Sequence, residues 1–232
     1  MGKTVLILAP HPDDESIIGL LPLRLRQECR FKIWVVPATL GSRTDRQSAR
    51  KKELRAACRA LGFRLRFLKP GNPLEELRRC LKSIQPAILF IPHARDGHPT
   101  HRATHRLGVE AMDSAGGIFH VVETEYWHPL TNPNLMVAAN REDLRALCRG
   151  LACHVGEVAR NDYAARLPAW MSDNVRRGAE LVGGKGAAAP RMAHATLYRA
   201  RRRSGGQWNP EFRGGRVIGS PADLRALAAI WA

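Results

Sequence analysis

The chain has 232 residues, 44% apolar and 25% charged, the balance of a folded globular protein and not of a disordered or fibrous one. No apolar run is long enough for a bilayer span, and the N-terminus does not read as a signal peptide, so a cytoplasmic protein is expected. The formal charge is +16, carried by 37 basic residues of which only seven are Lys, and a field of that sign attracts anionic partners.

"TVLILAP" (4–10) predicts a first strand, after which the pattern beyond Glu15 turns helical, with Pro22 expected to kink or interrupt the helix. "FKIWVVPAT" (31–39) predicts a second strand. "DRQSARKKELRAACRALG" (45–62) predicts an amphipathic helix burying Leu54, Ala57, Cys58 and Leu61 and capped by Gly62. "FRLRFL" (63–68) alternates as a strand does. "NPLEELRRCLKSIQP" (72–86) predicts a helix with Asn72 at its N-cap and Pro73 at its first position, and "AILFIP" (87–92) an apolar strand. In the second half, 117–127 and 134–139 read as strands, 141–171 as helix broken near Gly156, 183–190 as a flexible loop, and 220–232 as a helix capped by Ser220. Residues 1–232 are expected to form one domain, less regular from about residue 180.

Strands alternating with helices imply βαβ units: an α/β, Rossmann-like three-layer sandwich with a mostly parallel central sheet. Such sheets bind ligands at the carboxyl ends of their strands, near a reversal of strand order. Two polar clusters stand at such ends. "HPDDE" (11–15) follows the first strand, and "HARDGHPTHRATH" (93–105) follows "AILFIP". Three consecutive carboxylates near a buried edge repel one another, and a cation is the simplest compensation. His11 and Asp14 from one end and His101 from the other make a two-His, one-carboxylate set that suits a catalytic metal of zinc type with an open position. Asp13 is left beside that set, where a general base acts. Taken singly, each feature has a structural reading: a histidine cap, or carboxylates at a helix N-terminus. Their joint placement at two strand ends favours the metal site. His105 lies one helical turn from His101 and is the nearest competing ligand; His93, His120 and His128 are not expected to be ligands.

At these residues the chain resembles the LmbE-like, PIG-L-type de-N-acetylases. "PHPDDE" (10–15) matches their first motif, "HPTH" (98–101) their H-x-x-H, and "RKKELRAACRALG" (50–62) is similar to their R-x-x-E helix. The segment 154–178 is similar to a helical part of the family, and the resemblance spans roughly residues 3–180. It implies a zinc-dependent hydrolase that removes an N-acetyl or similar N-acyl group from an amino sugar or glycoside. Carried over by position, His11, Asp14 and His101 hold the metal and Asp13 is the base. His98 serves the leaving amine or the oxyanion, Asp96 orients His98, and Arg50 contacts the substrate. Three departures stand out: Thr100 where many members have Asp, "HVGE" (154–157) in place of H-x-S-Q, and no acidic residue in "LKPGNP" (68–73).

Other readings stay open at this point. The same ligand set serves non-haem iron enzymes, and Fe2+ or another divalent ion is admitted beside zinc. A basic anion- or nucleic-acid-binding protein with an incidental site is the second. The only dense basic cluster, 199–203, has no recognition motif beside it, and the five tryptophans are not interleaved with it; compositional bias on a solvated surface is the better reading of it. The positive field would suit a small-molecule substrate carrying phosphate or carboxylate. An aromatic residue in 126–128 or 163–170 is a candidate to stack on a sugar. A homo-oligomer is left open. Cys29, Cys58, Cys80, Cys148 and Cys153 form no C-x-x-C, which argues against a disulfide framework and a thiolate metal site.

Overall fold

In the computed structural model, which describes residues 2–231, the run after Lys3 forms β1 (Thr4–Ala9). Side chains alternate along a strand, so Val5, Ile7 and Ala9 enter one core while Leu6 and Leu8 enter another on the opposite face. The same split divides β4 (Ile88–Pro92), where Phe90 faces the first core and Leu89 and Ile91 the second. A strand buried on both faces reads as continuously apolar, as β1 and β4 do.

Around them stand β2 (Lys32–Pro37), β3 (Arg64–Leu65) and β5 (Ile118–Thr124), and the order β3-β2-β1-β4-β5 is parallel throughout. The sheet continues antiparallel through β7 (His194–Ser204) to β6 (Leu135–Ala139), with β8 (Gln207–Pro210) on β7 and β9 (Arg216–Ile218) parallel to β6. Helices α4 (Pro73–Ile84) and α5 (Pro99–Ala115) cover one face. On the other lie α1 (Asp14–Ile17), α2 (Leu20–Cys29), α3 (Gln47–Leu61), α6 (Arg141–Ala152) and α9 (Pro221–Ile230). The expected three-layer arrangement stands. No helix among the described residues is long and apolar enough to cross a membrane.

Several expectations are corrected. The strand over 63–68 shrinks to β3, and the helix over 45–62 opens with a 3-10 turn at Thr44–Arg46. The helix over 141–171 becomes α6, α7 (Val155–Val158) and α8 (Tyr163–Leu181), which runs on past residue 171. Residues 183–190 carry no helix or strand. The terminal helix ends at Ile230, and Ala232 lies outside the described residues. The largest correction concerns the basic cluster. Residues 199–203 lie in β7, a strand flanked on both sides, where Ala200 packs into the core while Arg201 and Arg203 bind Glu123 and Asp113. Both guanidiniums also stack on Trp208. Arg199, Arg201 and Arg203 are paired charge on one sheet face, so the arginines and a tryptophan do meet, within the fold.

Pro22 breaks the helix upstream of itself. A proline ring clashes with the carbonyl four residues back, here Ile18, and α1 ends at Ile17 while α2 begins at Leu20. Tyr198 repairs the break from β7: its hydroxyl donates to the Ile18 carbonyl at 2.7 Å and accepts from the Leu21 N–H at 3.1 Å. Tyr198→Phe leaves both backbone groups buried and unpaired. We expect it to lower stability by about 1–3 kcal/mol, read from the midpoint of urea denaturation.

Candidate active site

Strand order reverses between β1 and β4, which are parallel neighbours whose following connections leave toward opposite sides of the sheet. His11 stands just past the end of β1, and the loop after β4 leads through Asp96 to α5. Both predicted clusters therefore open into one cleft of about 710 Å³. His11, Asp14 and His101 each offer one ligand atom to it, and all three atoms lie within 4.8 Å of one another. His11 Nδ1 is 3.5 Å and His101 Nε2 is 3.9 Å from Asp14 Oδ2. That oxygen is held by the His11 backbone N–H at 2.7 Å.

Asp96 was expected to orient the His98 ring; the structure gives it a different partner. Asp96 Oδ2 lies 2.9 Å from His101 Nδ1, accepting a hydrogen bond from the ring N–H there and leaving the Nε2 lone pair for a metal. Its other oxygen accepts the His98 backbone N–H at 2.8 Å. The His98 ring is fixed locally: Nδ1 accepts from the Thr100 N–H at 3.2 Å, so the ring proton belongs on Nε2. Thr100, read as a departure, serves through its backbone. The rings of His11, His98 and His101 stand 5.0–5.3 Å apart by centroid.

His105, the competing ligand, is turned away. Its Nδ1 lies 2.9 Å from the Pro92 carbonyl and its ring stacks on Trp208. His93 and His120 are likewise engaged elsewhere, by the His128 carbonyl and by Glu211.

The two adjacent aspartates are driven in opposite directions. Burial, then the charges of Asp14 and Glu15, push the Asp13 carboxyl well above the usual carboxylate range. Burial opposes ionisation of Asp14 too, but the His11 hydrogen bond and the nearby His101 outweigh it and bring its pKa down. His98 is held below the usual histidine range by burial and by the neighbouring His11 and His101. For His101 burial acts downward, yet Asp96 and Asp14 carry the ring above that range. Divergent pairs of this kind mark acid–base sites.

Arg50, expected to contact the substrate, lines the cleft, but its guanidinium is largely committed. Nη2 donates to the Pro12 carbonyl at 2.9 Å and lies 3.9 Å from Asp13 and 3.6 Å from Glu157. Gly41, at φ 87°, closes over it, since a Cβ there would stand 2.3 Å from Nη1. In the sequence Glu15, His154 and Glu157 have no role of their own, and Tyr163 is only one of the aromatic candidates to stack on a sugar. Tyr163 donates to Asp13 Oδ2 at 3.3 Å, Glu157 faces Arg50, and His154 meets Glu15 at 2.9 Å across 139 residues. Glu15 closes the "PHPDDE" motif and His154 heads "HVGE", so both stood within recognised segments; only the fold brings them together.

The profile described as PIG-L: GlcNAc-PI de-N-acetylase matches residues 6–112. A probable N-acetyl-alpha-D-glucosaminyl L-malate deacetylase 2 from Bacillus anthracis is 27% identical over 135 residues, 47% of this chain and 59% of that protein. The matched part thus spans about six-tenths of the relative's length. Among solved structures, N,N'-diacetylchitobiose deacetylase from Pyrococcus horikoshii is similar with a TM-score of 0.64 at 16% identity, covering 85% of this chain and 83% of that one. GalB, the 4-carboxy-2-hydroxymuconate hydratase from Pseudomonas putida, is similar with a TM-score of 0.67 at 17% identity, covering 86% and 96%. These two likenesses establish the fold.

Two imidazoles and one carboxylate, with His101 already set in the ligating tautomer, fit a divalent ion of zinc type. Metal analysis of the purified, zinc-saturated protein is expected to find the ion in wild type and Asp13→Asn, and to find it lost from Asp14→Ala and His101→Ala.

Proposed function

We propose that this chain, whose residues 6–112 match the PIG-L family model, is a zinc-dependent hydrolase removing an N-acetyl or similar N-acyl group from an amino-sugar-containing substrate. One observation carries the reading: His11, Asp14 and His101 converge at one end of the cleft, with Asp13 and His98 flanking them. An ion held by the three supplies Lewis acidity to the amide carbonyl and brings the pKa of water to about 7. Asp13 accepts the proton of the attacking water, steadied by Tyr163. His98, with Nδ1 already accepting, presents its Nε2–H to the carbonyl oxygen as charge develops there. The C–N bond then breaks, and the proton held by Asp13 passes to the departing amine.

The cleft wall supports the substrate class. Trp127 is 48% exposed on it, an apolar face of the kind that stacks on a sugar ring. Arg43, Arg46 and Arg160 line it as well. Each has an acidic neighbour, but Arg43 and Asp45 are paired in open solvent, where such a pair is worth little and exchanges readily for a substrate carboxylate or phosphate.

The test is free-amine release from a panel of N-acetylated amino sugars and their glycosides, neutral and anionic. Release from some members, fastest with the anionic ones, is the expected result; a panel with no turnover contradicts the reading. Asp13→Asn is expected to lower kcat by about 10²–10⁴-fold with zinc retained. Trp127→Ala is expected to raise KM with kcat little changed, measured on the same substrate.

A further inference from the structure

One peptide unit in the site is held at both ends. The Pro12 carbonyl accepts from Arg50 Nη2 at 2.9 Å, and the Asp13 N–H donates to Glu15 Oε2 at 2.9 Å. Asp13 itself sits at φ 116°, a region that strains a non-glycine residue and persists only where the surroundings over-determine it. Glu15 is fully buried. Its other oxygen accepts the Ser16 hydroxyl at 2.7 Å and lies 2.9 Å from His154 Nε2. His154 is also fully buried, and its Nδ1 has no hydrogen-bond partner among the described residues. Its ring therefore has one polar engagement, Glu15, and Nε2 must carry the proton that the carboxylate accepts.

From this chain of contacts we infer that His154 is a positioning residue: it fixes Glu15, Glu15 fixes the Pro12–Asp13 peptide, and that peptide aims the Asp13 carboxylate into the cleft. The inference rests on Asp13 acting in hydrolysis as proposed above. It gives "HVGE" a role despite its departure from the family pattern. It also explains why a buried imidazole is retained beside a buried carboxylate: neither could be left alone without an uncompensated polar group.

A double-mutant cycle between His154 and Asp13 tests it, with kcat, KM and zinc content measured for each variant. His154→Ala is expected to lower kcat about 10–100-fold, the usual effect of removing a hydrogen-bonding support behind a site, with KM and zinc content little changed. His154→Gln, which keeps an N–H donor, recovers much of the loss. Asp13→Ala/His154→Ala should be no slower than Asp13→Ala alone, because His154 acts only through Asp13. Additive losses, or loss of zinc from the His154 variants, overturn the inference. If His154→Ala does not fold, His154→Phe fills the space without a donor and takes its place in the cycle. If wild type releases no amine from any substrate, the proposed function has failed, and the inference is then decided by a crystal structure of the His154 variant. Departure of Asp13 from positive φ supports it, and an unchanged turn overturns it.

Discussion

Three consecutive carboxylates, Asp13, Asp14 and Glu15, are buried in a single turn at the end of β1. An unpaired charge in such a place costs several kcal/mol, so the turn exists only because each carboxylate has its own compensation. Asp14 lies against His11 and His101, Asp13 near Arg50 and Tyr163, and Glu15 against His154, Ser16 and the Asp13 N–H. Apart from His11 and Ser16, which belong to the turn itself, these partners come from α3, α5, α8 and the connection after α6. The site is in this sense the point at which distant parts of the chain are tied together. The same compensation divides the roles: Asp14 is kept ionised among imidazoles, and Asp13, pressed by burial and like charge, is left facing the cleft.

The fold supplies the place and the side chains supply the chemistry. Reversal of strand order at β1 and β4 makes a crevice in any sheet of this kind. A deacetylase and a hydratase both share the architecture with this chain at similar TM-scores, so architecture alone does not choose between breaking an amide and adding water to a double bond. The proposal of amide hydrolysis rests on the PIG-L match through residues 6–112 and on the arrangement of Asp13 and His98 about the candidate ligands.

Much of the first half was legible because its signals are local. Alternation, Asn72 before Pro73, Gly62 after an amphipathic run, and two polar clusters directly after apolar strands all follow from short-range physics. The convergence of the candidate metal set needed only the further premise that the two strands lie side by side. What escaped reading depends on contacts far apart in sequence. β7 was hidden because its arginines look solvated until Glu123, Asp113 and Trp208 are placed opposite them. The position of the break near Pro22 depends on the Ile18 carbonyl, and what satisfies that carbonyl is Tyr198, 180 residues away. Asp96 chose His101 over His98 because the first turn of α5 swings one ring toward it and turns the other back on Thr100. His154 was legible only as the head of "HVGE", and its role was not, since its partner lies 139 residues earlier.

The most direct test strips the protein of metal with a chelator and follows acetate and free amine together as zinc is returned stepwise to a reactive N-acetylated substrate. Both products should be absent from the stripped protein and rise in equal amounts with zinc bound, levelling off once a single ion per chain is in place. Undiminished release by the fully stripped protein would contradict the assignment of His11, Asp14 and His101 as the ligands on which the chemistry depends.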